Sequence, residues 1–312
     1  MKFCFIALFW GAIFSGCSPN SDPDLLPIDL NKPDQERLLS FYLGGYTSPE
    51  GKDPIEAGIL VKDGASFFIR KSALKAVSPA AANQLPSERM DWAALKKWVG
   101  DTYNTSRGFP KTLQEFSDQN QYKQGFKLSV SGVMTTAVRD VYVPEKALRS
   151  ALTQYQKNGE KLLYPVGTTF VGEHHETGSW EETTIMKKRQ DGFWDYWVYD
   201  KTGNLAGQTV AKPQSLKSPV QCVGCHFGSR LFEPEKSFPN VAPPGPKGTK
   251  RELYVNGLAV PATLVTHFKE HAKRSDTILG PYATLYVAGL LKKKQAGEAS
   301  EEDLALLKAA GL

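Results

Sequence analysis

The sequence contains only four cysteines among 312 residues, and their positions provide no framework of structural disulfides. Cys4 and Cys17 lie near the amino terminus, whereas Cys222 and Cys225 form one close pair. A second Cys-x-x-Cys pair is missing, which excludes a zinc site built from two such pairs. Internal repeats are also missing, so a repeat array is excluded.

The sequence also lacks a large excess of basic or acidic residues. The chain has 38 basic and 33 acidic residues, and residues 1–16 contain only one charged side chain, Lys2. Removal of that segment leaves 37 basic and 33 acidic residues, a net charge of +4. This charge is too small for electrostatic recognition of a phosphate backbone, so we expect no nucleic-acid partner.

The amino-terminal apolar run, from Phe3 to Phe14, is shorter than the about 20 residues that a membrane-spanning helix needs. A lysine precedes this run and small residues follow it, as in a secretory signal peptide. Its end resembles the lipobox of bacterial lipoproteins, although Phe14 stands where leucine is commoner. The resemblance implies that residues 1–16 are removed and that Cys17 is acylated, with ordinary secretion as the alternative.

The same resemblance implies a location. A lipid on Cys17 would anchor the exported chain to a membrane surface that faces the periplasm. Ser18 follows the acylated residue, and in the Gram-negative pattern the absence of Asp there favours sorting to the outer membrane.

Composition divides the mature chain into four parts. Residues 17–33 are rich in Pro, Asp, Asn and Ser, so we expect a flexible tether outside the fold. Residues 34–120 form an amino-terminal extension, residues 121–237 the central domain and residues 251–312 a helical carboxyl-terminal segment. Proline and glycine between residues 238 and 250 mark a boundary.

Periodicity in the extension predicts helices at Glu36–Leu43 and Asp91–Val99, with Asp91 as the N-cap of the second. Between them, the strings GILVKDG and SFFIRKS predict a hairpin. The carboxyl-terminal segment carries helical spacing at Thr263–Lys273, Tyr282–Lys293 and Ser300–Ala310.

The central domain is rich in predicted strands. Residues Phe126–Val143 show strand-like alternation, and Pro144 opens a helical run. The strings TTFVGEHH, EETTIMKKR and FWDYWVYD follow, and they are separated by turns that contain Gly178 and Gly192. This punctuation predicts an antiparallel meander, and the fold class is therefore α+β.

The string Cys222-Val223-Gly224-Cys225-His226 fits covalent attachment of a c-type haem. Two intervening residues allow one tight turn to present both thiols to one porphyrin edge, where they add to the vinyl groups. The next residue, His226, then lies beneath the metal as an iron ligand. An export signal agrees with this chemistry, because haem is attached to such motifs outside the cytoplasm.

Three other interpretations of the cysteine pair remain open. A zinc site would need further ligands from elsewhere in the chain. A thioredoxin-like dithiol normally follows a strand and opens a helix, whereas this pair follows the loop-like string SLKSPVQ. A disulfide between Cys222 and Cys225 would be strained.

The order of several motifs resembles the cytochrome P460 and cytochrome c′-beta family. The resemblance covers about a third of the chain, roughly residues 121–232, and the haem string is its most specific part. Its motifs are Tyr164–Thr168, Glu173, Met186–Lys188, Trp194–Asp200 with Gly203, and Cys222–His226.

This resemblance implies a small antiparallel sheet with helices that holds one haem c, with His226 as the proximal ligand and an open or apolar far side. Such proteins bind nitric oxide or oxidise hydroxylamine. In the P460 branch a lysine is also bonded to the macrocycle. After the P-x-G-T motif, where that lysine is expected, this chain has Gly172 and Glu173, a departure that argues against the cross-link and, with it, against hydroxylamine oxidation.

The second axial position of the iron separates the functional hypotheses. A five-coordinate haem would bind or convert small nitrogen ligands, which makes an oxidoreductase one of the outcomes. A six-coordinate haem, ligated by Met186, Met134 or a histidine, would transfer electrons to a redox partner protein. In a third hypothesis the haem only stabilises a structural or sensory lipoprotein.

The residue environments on the strands also yield expectations. Met134 and Met186 are expected in the core. His174 and His175 adjoin the predicted turn at Gly178, so we expect both to be exposed to solvent. The aromatic residues of the same strands are expected to pack in the core rather than to wall a cofactor; they are Phe170, Phe193, Trp194 and Trp197.

Overall fold

The computed structural model describes residues 22–31, 33–130, 138–158, 163–210, 217–222, 254–255, 258–259, 280–309 and 312. The predicted signal segment, residues 1–16, and the predicted lipid site Cys17 lie outside these residues. The predicted helix Thr263–Lys273 and the candidate ligand Met134 lie outside them too.

The chain is a mixture of helices and antiparallel sheets, which confirms the α+β class. The described helices are α1 (Pro33–Thr47), α2 (Lys71–Val77), α3 (Pro79–Ala82), α4 (Trp92–Arg107), α5 (Leu113–Asn120), α6 (Glu145–Asn158), α7 (Gly280–Ala296) and α8 (Glu301–Ala309). The described strands are β1 (Leu25–Ile28), β2 (Leu60–Asp63), β3 (Ser66–Arg70), β4 (Phe126–Val130), β5 (Val138–Val143), β6 (Thr169–Glu176), β7 (Ser179–Lys188), β8 (Trp194–Asp200), β9 (Leu205–Ala206), β10 (Tyr254–Val255) and β11 (Leu258–Ala259).

The largest sheet contains β4 to β9 in sequence order, and each strand pairs antiparallel with the next. This confirms the predicted meander. The turn from β6 to β7 uses Thr177 and Gly178, both with positive φ, and Gly192 has positive φ before β8. Glycine adopts this backbone conformation without a steric penalty, which explains its place in these turns.

A smaller sheet, ordered β1-β3-β2, corrects the prediction of a tether. The predicted hairpin is present as β2 and β3, but residues 25–28 extend it as a third strand instead of lying outside the fold. Leu26 and Ile28 alternate with less buried neighbours and are almost completely buried. Two apolar side chains on one strand face stabilise this pairing, and the polar composition around them concealed the signal.

The helices confirm most of the predicted pattern. Asp91 caps α4 by accepting a hydrogen bond from the Ala94 amide at 2.7 Å. Pro144 directly precedes α6, and α7 and α8 cover the two carboxyl-terminal predictions that fall on described residues. Among the helices of the described ranges, none is both long and apolar enough to cross a membrane.

The two faces of the large sheet belong to different cores. One face contributes Phe170, Met186 and Tyr196 to a cluster that also includes Leu38 from α1 and Leu148 from α6. The opposite face contributes a second, smaller cluster that packs against Phe116 of α5; its sheet residues are Tyr142, Val171, Ile185, Trp197 and Tyr199. The larger core therefore joins residues of the predicted amino-terminal extension to residues of the predicted haem domain.

A buried ionic network fastens α4 and the sheet together. Asp195 of β8 lies 3.4 Å from Nε of Arg107 and 3.3 Å from Nη1 of Arg189. Tyr103 donates a hydrogen bond to the same carboxylate at 3.1 Å. Burial alone would lower the pKa of Arg107, but Asp195 and nearby tyrosines raise it above its ordinary value. The Arg107 guanidinium therefore remains charged inside the protein.

Two glycines allow α1 to approach this network. Arg107 donates to the Tyr42 carbonyl, and Arg189 donates to the Phe41 carbonyl at 2.9 Å. A Cβ on Gly45 would overlap the Arg107 guanidinium, and one on Gly44 would lie 2.8 Å from the Asp191 carboxylate. Glycine at both positions lets the helix backbone reach the two arginines.

Candidate functional site

The described part of the haem string is Cys222, which is helical together with residues 220 and 221. Its side chain is 8% exposed and belongs to the larger core, and Sγ lies 3.7 Å from Oγ of Ser218. Cys225 and His226, the other two predicted haem residues, lie outside the described residues. The structure therefore gives the position of one of the three haem residues that the sequence predicts.

Cys222 lies at a cleft on the face of the large sheet that contributes to the larger core. The cleft has a volume of about 80 Å³, which is room for a few water-sized groups but not for a porphyrin. Strands β5 to β8 form its floor, and Thr209, Gln221 and Cys222 form one side. Gln221 fixes this side because its Oε1 accepts a hydrogen bond from the Thr209 amide at 2.8 Å.

Gly172 leaves room in the floor of the cleft. A Cβ at this position would lie 3.0 Å from Oγ1 of Thr184, its cross-strand partner, and 3.8 Å from Nε2 of His174. Phe170 and Met186 make the floor apolar on one side of Gly172, and His174 makes it polar on the other. The floor thus changes from apolar to polar along β6.

His174 is the polar feature of this floor. Its ring nitrogen Nδ1 lies 3.0 Å from Oε1 of Glu182, the residue opposite it on β7. The other Glu182 oxygen, Oε2, accepts a hydrogen bond from the Val210 amide at 2.7 Å. The His174 and Glu182 side chains are 6% and 1% exposed, so the cleft contains a buried histidine–carboxylate pair.

The expectation that His174 and His175 are solvent-exposed is wrong for His174. Strand β6 continues to Glu176, beyond both histidines, and the His174 side chain is only 6% exposed. His175 is partly exposed, and a β-bulge separates the two histidines. The turn near His175 therefore leaves His174 buried.

Burial lowers the pKa of His174. The contact with Glu182 acts in the opposite direction, and the positive charge of Arg139 lowers the pKa further. Both His174 and Arg139 line the cleft. The imidazole of His174 is consequently neutral near pH 7, and a neutral imidazole can accept a hydrogen bond or bind a metal.

This lowered pKa predicts acid sensitivity. Above pH about 6.5, the ordinary histidine pKa, His174 is neutral in both the folded and the unfolded chain. Below that pH the unfolded chain binds the proton first, so the free energy of unfolding falls as the pH falls towards the lower folded pKa. In urea titrations at pH 7.5 and 5.5, we expect the wild-type protein to lose more stability than His174→Gln. Equal losses in the two proteins would contradict the prediction.

The sulfur and aromatic residues around the cleft agree with the core expectation. Met186 is 6% exposed and packs in the larger core while also lining the cleft. Phe170 stacks on Trp194 with ring centroids 5.4 Å apart. Trp197 is buried in the opposite core and Phe193 is partly buried against the larger one. The core expectation is therefore confirmed for these residues.

Glu173, next to Gly172, points to the opposite face of the sheet. It accepts hydrogen bonds from Tyr122 at 2.6 Å and from Tyr142 at 3.2 Å, and Lys123 lies 3.1 Å from it. Burial and this carboxylate raise the pKa of Tyr142 to about 12. The two residues at the expected position of a haem-linked lysine thus lie on opposite faces of the sheet. Gly172 lines the cleft, and Glu173 belongs to a polar cluster with Tyr122, Tyr142 and Lys123 on the other face.

Of the groups that attachment of a c-type haem requires, the described residues offer one, the Cys222 thiol, beside an apolar floor. Within the described ranges, no group of three or more His, Cys, Asp or Glu side chains is arranged to hold a metal ion. The sequence matches no family model, and a comparison with curated proteins found no match.

Proposed function

We propose that the protein is an exported, lipid-anchored c-type haem protein of the cytochrome P460 type that binds or converts small nitrogen ligands. Cys222 and Cys225 hold the haem, His226 ligates the iron, and the lipid on Cys17 anchors the chain to a membrane that faces the periplasm. The haem supplies an iron centre that can bind such a ligand or change its oxidation state. Nitric oxide and hydroxylamine are ligands of this kind.

One observation carries the proposal: the first cysteine of the haem string lies at the edge of a small cleft. A volume of about 80 Å³ suits a ligand of two or three heavy atoms. The cleft residues of this chain bind and orient the ligand, and they exclude water from it. Phe170 and Met186 give the cleft apolar lining, and His174 and Arg139 add an imidazole and a guanidinium to it.

The fold supports the same family. The resemblance implies a small antiparallel sheet with helices, and the antiparallel meander of six strands is compatible with that. Met186 and Tyr196 belong to the family-like motifs and lie opposite each other on β7 and β8, and Phe170 of β6 lies opposite Met186 on the face that carries the cleft. The haem string follows this sheet in the chain and begins at the same cleft.

The test is expression of the full chain in a Gram-negative host that contains the haem-attachment machinery. We expect a mass increase of one haem, a haem stain that survives denaturing electrophoresis, and a spectrum that changes when nitric oxide or carbon monoxide is added. The variant Cys222→Ala/Cys225→Ala should lose the stain completely. A colourless wild-type protein with no added mass would overturn the proposal.

Two further measurements use the same expression system. Cys17→Ala should lose the fatty acyl group and keep the haem, which separates the anchor from the cofactor. A reduced protein that is low-spin and binds neither gas would instead identify a six-coordinate electron carrier.

A further inference from the structure

A large groove borders the second, smaller core, whereas Cys222 belongs to the larger core on the other face of the sheet. Helix α5, residues 121–124, the start of β7 and the turn after β8 line this groove. Its volume is about 840 Å³, which lies within the range of about 300–1,000 Å³ that small-molecule sites occupy. The proposed haem function does not use it.

Hydrogen bonds fix the walls of the groove to the sheet. The Leu113 amide, at the start of α5, donates to the Gly203 carbonyl in the turn after β8 at 2.8 Å. Tyr122 donates to the Glu173 carboxylate of β6 at 2.6 Å. The groove is therefore formed before any ligand arrives, as most small-molecule sites are.

Trp180 is an aromatic lining residue that the core does not use. It is partly exposed, it belongs to neither described core cluster, and its ring has no aromatic partner among the described residues. Its indole N–H donates to Oγ1 of Thr183 at 3.0 Å, which fixes the orientation of the ring. A large, oriented ring at the wall of a groove offers an apolar face to a ligand.

Three glutamines contribute to the polar lining, and two of them are available to a ligand. Gln114 donates to Asp118 at 2.6 Å. Gln121 and Gln124 are exposed and make no side-chain hydrogen bond to any residue that the structure describes. A side-chain amide both donates and accepts hydrogen bonds, and a ligand hydroxyl group does the same.

Gln121 carries a side chain where the backbone favours glycine. Its φ is +42°, and its backbone N–H donates to the Ser117 carbonyl at 2.9 Å at the end of α5. A residue with a Cβ has a steric cost in this left-handed region that glycine avoids. Residues in such conformations cluster at ligand sites, so the amide of Gln121 indicates a binding role.

The charges at the groove cancel. Lys123 is the one charged side chain of the described lining, and its Nζ lies 3.1 Å from Oε1 of Glu173. Because this carboxylate neutralises the lysine, the groove attracts neither anions nor cations strongly. The lining therefore fits an uncharged ligand that has many hydroxyl groups and one apolar ring face.

We propose that this groove binds a neutral oligosaccharide. The C–H face of a pyranose ring packs on Trp180, and the sugar hydroxyl groups exchange hydrogen bonds with the amides of Gln121 and Gln124. This function is separate from the haem chemistry, because it uses none of the three haem residues of the sequence.

The experiment is calorimetric titration of the full chain with maltotetraose, cellotetraose and N-acetylated chitotetraose. Tetragalacturonate and adenosine serve as an anionic and an aromatic comparison. We expect at least one neutral sugar to bind saturably and at least tenfold more tightly than both comparison ligands. Trp180→Ala should weaken that binding at least tenfold, and Trp180→Phe, which keeps an aromatic face, should retain most of it.

Gln121→Gly separates binding from folding. The substitution removes the amide and relieves the positive φ, so the sugar affinity should fall about tenfold while stability against urea is unchanged or higher. Gln119→Ala is the matched control, because Gln119 is exposed on the same helix and does not line the groove. It should change the affinity less than twofold.

Three results would overturn the inference. The first is that none of the three neutral sugars binds saturably. The second is that tetragalacturonate or adenosine binds as tightly as the best neutral sugar, which assigns the groove to another class of ligand. The third is unchanged sugar affinity in both Trp180→Ala and Gln121→Gly, which places the sugar elsewhere on the protein.

Discussion

Asp195→Ala should lower the free energy of unfolding by about 3–5 kcal/mol, because it leaves buried arginines without their anion. The Arg107 and Arg189 side chains are 4% and 5% exposed. Arg189 keeps a second carboxylate, Asp191, whereas Arg107 pairs with Asp195 alone among the described acidic residues. The uncompensated charge on Arg107 is the main cost, and urea unfolding followed by tryptophan fluorescence measures it.

Two controls separate burial from charge pairing as such. Asp101 also pairs with two cations, Lys97 and Lys217, but both lysines are largely exposed. Asp101→Ala should therefore cost less than about 1 kcal/mol. Asp195→Asn keeps an acceptor for Tyr103 and should fall between the two alanine variants. A cost for Asp195→Ala no greater than that for Asp101→Ala would contradict the buried network.

This network bears on the organisation of the chain. Arg107 ends α4, in the predicted amino-terminal extension, whereas Asp195 lies on β8 of the predicted haem domain. A single transition for Asp195→Ala, at lower urea, would mean that both parts unfold together. The network and the shared core explain why the sequence could suggest a boundary near residue 120 that the packing does not mark.

The sequence could predict elements whose signal is local. The hairpin of β2 and β3, the meander from β6 to β8 and the cap at Asp91 depend on alternation, on turn glycines and on one side chain beside a helix start. Each of these signals lies within a few residues of the structure that it specifies. The core positions of Phe170 and Met186 follow from the same alternation.

The sequence could not predict the partner of His174. A two-residue turn at Thr177 and Gly178 would place Glu181 opposite His174, but the bulge between His174 and His175 shifts the register by one residue, to Glu182. A shift of one residue changes which side chains face each other. No residue type at this position predicts a bulge, so the pairing of His174 with Glu182 can be recognised only from the three-dimensional structure.

The haem string illustrates the opposite case. The spacing of the string predicts haem attachment at Cys222, because that reaction requires two thiols and a histidine in fixed order. Its surroundings were not readable, since the cleft combines strands β5 to β8 with residues near Thr209 and Gln221 that are distant in sequence. The residue spacing thus predicts which side chains attach a haem, whereas only the packing shows which side chains surround Cys222.

Gly45→Ala should lower the free energy of unfolding by about 2–4 kcal/mol, an effect of overpacking and of a broken buried hydrogen bond. The new methyl group would occupy the place of the Arg107 guanidinium, which is held by the Tyr42 carbonyl and by Asp195. The Arg107 side chain cannot adopt another rotamer without losing its contacts with the Tyr42 carbonyl and Asp195. Gly207→Ala is the matched control, because a Cβ there meets nothing within 4 Å, and it should change stability by less than about 1 kcal/mol.

A double-mutant cycle with Arg107→Ala tests the cause of this cost. Gly45 lies inside α1, where alanine is intrinsically better than glycine by about 1 kcal/mol. Once the guanidinium is absent, the methyl group of Gly45→Ala has no clash, so the substitution should become neutral or stabilising. The sign of its effect should thus reverse between the two backgrounds, which is strong coupling between residues in contact. An equal cost in both backgrounds would show that α1 excludes a side chain at residue 45 for a reason other than Arg107.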